Sequence, residues 1–124
     1  MTFHEQYAIA AAVTLAVELP IVLYVARRAR LLHSDARVLV AALVANAATH
    51  PALWYVPWTL FPSVLEKPNY PLYLVVGETA VLLVETVVYW RLLVPHRPWL
   101  ALAMSALANA ASYAAGLAVW ALIR

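Results

Sequence analysis

The chain contains no cysteine, and that single absence removes disulfides, thiolate metal sites, haem attachment motifs and cysteine nucleophiles together. Charge is also scarce. Only 11% of the 124 residues are Asp, Glu, Lys or Arg, far below the usual share in a soluble globular domain. No Lys or Arg precedes the first apolar stretch, whereas Arg27, Arg28 and Arg30 follow it, so this stretch reads as a retained helix rather than a secretory leader. No basic face for DNA or RNA exists: the pI of about 9.2 comes from arginines beside apolar segments, which is a topology signal.

Hydrophobic residues are abundant, making up 66% of the chain, with a mean hydropathy of +0.82. This composition predicts an all-α polytopic membrane protein in which residues 1–124 form a single transmembrane domain. Helices are expected over residues 6–29, 37–60, 71–94 and 98–123, each near the ~20 residues that cross about 30 Å of hydrocarbon. Arg27, Arg28, Arg30 and Arg37 occupy the first connection, and Arg91 and Arg97 flank the third, while the middle connection carries only Lys67 offset by Glu66. The positive-inside rule then puts both termini outside and the arginine-bearing turns in the cytoplasm of a bacterial-type inner membrane. Aromatic residues near the expected boundaries, Phe3, Tyr7, Trp54, Tyr55, Trp58 and Trp120 among them, read as interfacial anchors.

Against this background four polar residues stand out, Glu18, Asn46, Glu85 and Asn109, one near the middle of each segment. Glu18 precedes Arg27 by roughly 13 Å of helical rise, and the other three lie at similar depths, so all four share one layer near the midplane. Polar side chains in hydrocarbon are costly and usually face a protein interior. Neighbours at helical spacing mark the interior faces: Tyr7, Ala11, Thr14 and Glu18; Ala42, Asn46 and Thr49 beside His50; Glu78, Leu82, Glu85 and Tyr89; Ser105, Asn109, Ser112 and Gly116. Small residues in the last series also suit close helix packing.

The second and fourth segments share a word. ALVANAATH at 42–50 recurs as SALANAASY at 105–113, and each preceding helix carries a glutamate after valine, Val17 with Glu18 and Val84 with Glu85. This suggests two parallel helical hairpins, residues 1–62 and 68–124, related by a pseudo-two-fold axis along the membrane normal.

The expected ion- or ligand-binding core is Glu18, Asn46, His50, Glu78, Glu85 and Asn109, supported by Thr14, Thr49, Ser112 and Tyr89. Carboxylates, carboxamides and hydroxyls suit a hard divalent metal, and Glu18, His50 and Glu85 form the set that could take Zn²⁺ or Fe²⁺, although neither HExxH nor a Glu with His three residues on is present. Without a metal, two close buried carboxylates are best served by sharing a proton. Glu78, about 10 Å along the same face from Glu85, would be an outer access residue or a hydrated side chain. Pro20 and Pro51 free the carbonyls of Ala16 and Ala47, which Thr14, Thr49 or a bound cation could satisfy.

Three functional classes follow. The first is a carrier or channel for a cation or proton-linked solute. The second is an intramembrane enzyme acting on a lipid or apolar substrate, metal-dependent or not, with Arg27, Arg28 and Arg91 holding a headgroup. The third is an accessory subunit of a larger membrane complex. In each case the lipid bilayer is a partner, and homo-oligomerisation or a larger membrane partner is expected, with no nucleic acid.

Overall fold

A computed structural model describes all 124 residues and contains four long helices joined by short connections. They are α1 (Phe3–Arg28), α2 (Asp35–Leu60), α3 (Tyr70–Leu92) and α4 (Pro98–Ile123), with one short 3-10 turn, Pro62–Leu65, before α3. All four are long and apolar enough to cross a membrane.

Capping explains where the observed ends differ from the expected ones. α1 begins at Phe3 because the Thr2 hydroxyl accepts from the Glu5 N–H at 3.2 Å while the Thr2 N–H donates to the Glu5 carboxylate at 2.7 Å. It ends in a Schellman turn, with Leu31 N–H on the Ala26 carbonyl at 3.0 Å, Arg30 N–H on the Arg27 carbonyl at 3.1 Å, and Arg30 at φ 56°. Ser34 then caps α2 by accepting from the Arg37 N–H at 3.2 Å. Pro71 and Pro98 lie in the first turns of α3 and α4, where a missing N–H carries no penalty. The helices run on through Pro20, Pro51 and Pro57.

The helices form a closed square. α1 packs on α2 and α4, and α3 packs on α2 and α4, with no contact across either diagonal. One end of the bundle carries both chain termini and the middle connection. There the His4 ring bonds to the Tyr55 hydroxyl at 2.9 Å. The other end carries the arginines, where His33 donates to the Leu93 carbonyl at 2.8 Å and Arg37 to the Leu92 carbonyl at 3.2 Å, closing the end of α3. The Arg27–Asp35 ion pair here has side chains 64% and 54% exposed and so adds little to stability.

The packed core is confined to the arginine end. Its 12 buried apolar residues are Val22 and Ala26 of α1, Val38, Ala41, Ala42 and Ala45 of α2, Tyr89, Leu93 and Val94 at the end of α3, and Ala101, Met104 and Ala108 of α4. Each of them lies on the arginine side of its helix's midpoint polar residue. Small side chains allow the backbones to approach closely, and van der Waals packing then holds such helices together where lipid removes the hydrophobic driving force. Half of the bundle is therefore solid and half is hollow.

Candidate functional site

The solid core ends at the polar layer. Glu18, Asn46, Thr49, Glu85 and Ser112 are all buried, and Asn109 is half-buried. Two sets of bonds hold them. Asn46 Nδ2 donates to Glu18 Oε2 at 2.9 Å and to the Ala42 carbonyl at 3.0 Å. Asn109 Nδ2 donates to Glu85 Oε2 at 2.7 Å and to the Ser105 carbonyl at 2.9 Å. Each glutamate's second oxygen takes a hydroxyl from the opposite helical hairpin: Ser112 reaches Glu18 Oε1 at 2.6 Å, and Thr49 reaches Glu85 Oε1 at 3.0 Å. Both acids thus have an amide donor from the next helix in sequence and a hydroxyl from the other neighbouring helix.

The two hydroxyls have a property the amides lack. Thr49 Oγ1 also lies 3.0 Å from the Ala45 carbonyl, and Ser112 Oγ lies 3.1 Å from the Asn109 carbonyl. A hydroxyl has one proton and free lone pairs. Pointed at the carboxylate, it solvates the ionised acid. Turned to its own helix carbonyl, it can accept a hydrogen bond from the O–H of the neutral acid. Either protonation state of Glu18 or Glu85 therefore finds partners without movement of a heavy atom.

Above this layer, toward the termini, lies a cavity of about 840 Å³ whose floor is Glu18, Asn46, Glu85 and Asn109. Its mouth is ringed by Phe3, Trp58, Trp120 and Arg124. Thr14 lines the wall and makes no side-chain hydrogen bond, and the half-buried Glu78 does the same. Gly116 belongs to this wall too. A Cβ added there meets nothing within 4 Å, so its small size serves open space rather than the helix packing suggested by the Ser105–Gly116 series.

His50 lies one turn above Asn46, but its ring packs between Tyr7 and Trp54 at centroid distances of 5.5 and 6.3 Å and bonds to neither glutamate. No three His, Asp or Glu side chains come together as a metal-binding group, so the Glu18, His50 and Glu85 set is not assembled. The physical reason is that the aromatic cluster holds the imidazole at the α1–α2 wall. Tyr89, expected beside the site, lies fully buried in the solid core below Glu85. Three buried polar atoms have no partner: Asn46 Oδ1, His50 Nε2 and the Tyr89 hydroxyl. Replacing Tyr89 with Phe is expected to leave stability unchanged or raise it by up to ~1 kcal/mol, because it removes an unsatisfied group. Thermal unfolding in micelles reads this, and a clear loss would show that the hydroxyl has a partner after all.

Two features escaped the sequence reading. Trp54, Trp58 and Tyr73 line the cavity rather than only anchoring the bundle at a surface. The signal was the four-residue spacing Asn46, His50, Trp54, Trp58, which continues the polar face of α2. The other is Pro57, which deprives the Leu53 carbonyl of its helical N–H partner. The Tyr73 hydroxyl donates to that carbonyl instead. Gly77, one turn along α3, permits the approach, since a Cβ there would lie 2.5 Å from Leu53 Cδ1. At Pro51, by contrast, Thr49 bonds to Ala45 and Glu85 and not to the Ala47 carbonyl.

Comparison of the chain with protein family models, curated proteins and solved structures returned no match.

Proposed function

We propose that this protein is a membrane carrier that exchanges protons for a cation at the Glu18–Glu85 layer. The observation that carries the reading is the hydroxyl beside each glutamate, placed between a carboxylate oxygen and a helix carbonyl at 2.6–3.1 Å. A site built only to bury carboxylates needs fixed donors. One that gains and loses protons needs partners that can both give and accept.

The four helices cross the bilayer with both termini outside and the arginines of the first and third connections in the cytoplasm. The cavity then faces outward, and the solid core seals the inner half. A channel needs a continuous path, so a floor of paired acids above a sealed core favours a carrier, with the seal opening when the outer mouth closes. Arrival of a cation in the cavity releases a proton from the layer, and its departure lets a proton return.

The two hairpins, residues 1–62 and 68–124, are read as copies of one unit. Support comes from the offsets: Asn46 and Asn109 occupy equivalent positions and donate to Glu18 and Glu85 and to the equivalent carbonyls of Ala42 and Ser105, while Thr49 and Ser112, also equivalent, donate across to Glu85 and Glu18. Their axis runs along the membrane normal through the acid layer, so the halves can rock against one another about the site.

The test uses purified protein in liposomes with an acidic interior and a trapped pH dye. Addition of an external monovalent cation from a panel of Na⁺, K⁺ and ethidium should collapse the gradient faster than in empty liposomes. The Thr49→Val, Ser112→Ala double variant keeps both carboxylates but loses both adaptable donors, and it should exchange at least about tenfold more slowly, a barrier change of ~1.4 kcal/mol. Exchange no faster than empty liposomes for every cation overturns the reading.

A further inference from the structure

A second, smaller space adjoins the central cavity. Between α3 and α4 a groove of about 410 Å³ shares Leu74, Glu78, Asn109 and Tyr113 with the central cavity. Ala106 and Ala110 of α4 form much of its other wall. From Leu74 to Leu82 the groove follows α3 over ~12 Å of rise and stops about one turn short of Glu85. It therefore lies in the half of the bundle nearer the termini, at a depth where acyl chains reach it.

The corresponding seam between α1 and α2 is filled. His50 stands at the position equivalent to Tyr113 and packs on Tyr7 and Trp54, while Phe3 stacks on Trp58 at a centroid distance of 4.2 Å. Tyr113 is instead 45% exposed. Aromatics cover the α1–α2 seam, whereas a groove indents the α3–α4 seam.

Carboxylates dominate the charge of both spaces. Glu18, Glu78 and Glu85 line them, and the sole Lys or Arg is Arg124 at the mouth. Trp54, Trp58 and Tyr73 supply aromatic faces, which attract cations. Asn46 Oδ1, on a floor residue only 4% exposed, is a hydrogen-bond acceptor with no donor. A space of 840 Å³ equals the volume of roughly 28 waters, far more than one small ion and its first shell require. It is instead within the range of sites for drug-sized molecules, whose walls are mostly apolar with a few polar groups.

We propose that the groove between α3 and α4 is the entrance through which an amphipathic organic monocation passes sideways from the lipid leaflet into the cavity. Glu78 is the first carboxylate it meets and the Glu18–Glu85 layer the second. Its apolar body lies along the groove and the aromatic wall, and its N–H donors face the carboxylates. The inference rests on proton–cation exchange and names the cation exchanged.

Ethidium is the probe, since its charge is permanent, its amino groups donate hydrogen bonds, and trapped DNA reports its uptake by fluorescence. Proteoliposomes with an acidic interior should take it up in exchange for protons. Ala110→Trp fills the groove and should slow uptake at least about tenfold. Leu107→Trp, on the lipid-facing side of the same helix at 55% exposure, should change it by less than about twofold. Thermal unfolding of both variants checks the fold, and Ala110→Leu gives a smaller obstruction if the tryptophan unfolds the bundle. Equal uptake by the Ala110 and Leu107 variants overturns the lateral entrance. Proton exchange for Na⁺ or K⁺ without ethidium overturns the cation class and leaves the carrier reading standing. Loss of exchange for all cations overturns both.

Discussion

Glutamine at position 18 or 85 is expected to abolish proton exchange, by ~100-fold or more, while the protein still inserts and folds. The fold survives because the site already accommodates a neutral side chain. In Glu18→Gln the amide oxygen accepts from Asn46 Nδ2 and the amide nitrogen donates to Ser112 Oγ, whose own proton turns to the Asn109 carbonyl 3.1 Å away. Glu85→Gln finds the same arrangement with Asn109, Thr49 and the Ala45 carbonyl. Each variant therefore copies the protonated acid and cannot leave that state. Flux measured with the trapped dye, with infrared carboxyl bands recorded against pH, separates failure of exchange from failure of folding. Wild-type flux in the double glutamine variant overturns the role assigned to both acids.

Gly116→Leu should move activity and stability in opposite directions. Glycine in a helix interior is about 1 kcal/mol less favourable than a good helix former, so leucine here should hold or raise the unfolding temperature. No atom within 4 Å opposes the new Cβ, and the side chain extends into the cavity one turn above Ser112. Occupying that space should reduce exchange by about tenfold or more. Destabilisation instead would show that α4 packs closely at this point and that the cavity does not extend to Gly116.

The four-helix architecture was legible because apolar length and arginine placement are local properties of the chain. Helix existence was clear and the ends were less so: Thr2 with Glu5 and Ser34 with Arg37 start α1 and α2 earlier than hydropathy indicates. The polar layer was legible too, since a glutamate in an apolar segment calls for an interior position and helical spacing identifies its face. The cavity was not. Whether Gly116 and Trp54 meet neighbours or empty space depends on the summed volumes and rotations of four helices, which no single segment records. His50 shows the same limit. Its depth suggested ligation, but the choice between the acids and the rings of Tyr7 and Trp54 depends on the rotation of α2 about its own axis. Tyr89 followed the periodic face correctly and still ended in the solid core, since periodicity gives a face and not a boundary between filled and hollow halves.

The makeup of that solid half bears on the rocking that the proposed carrier requires. Of its 12 residues six are alanines, Ala26, Ala41, Ala42, Ala45, Ala101 and Ala108, whose single methyl groups form shallow ridges rather than deep interlocking knobs. Surfaces of this kind stay in van der Waals contact while sliding, as in shear motions between packed helices. Leucines in their place would mesh like gear teeth and lock the hairpins in one register. In the carrier proposed above, the alanine seam would serve as a plain bearing along which one hairpin travels on the other.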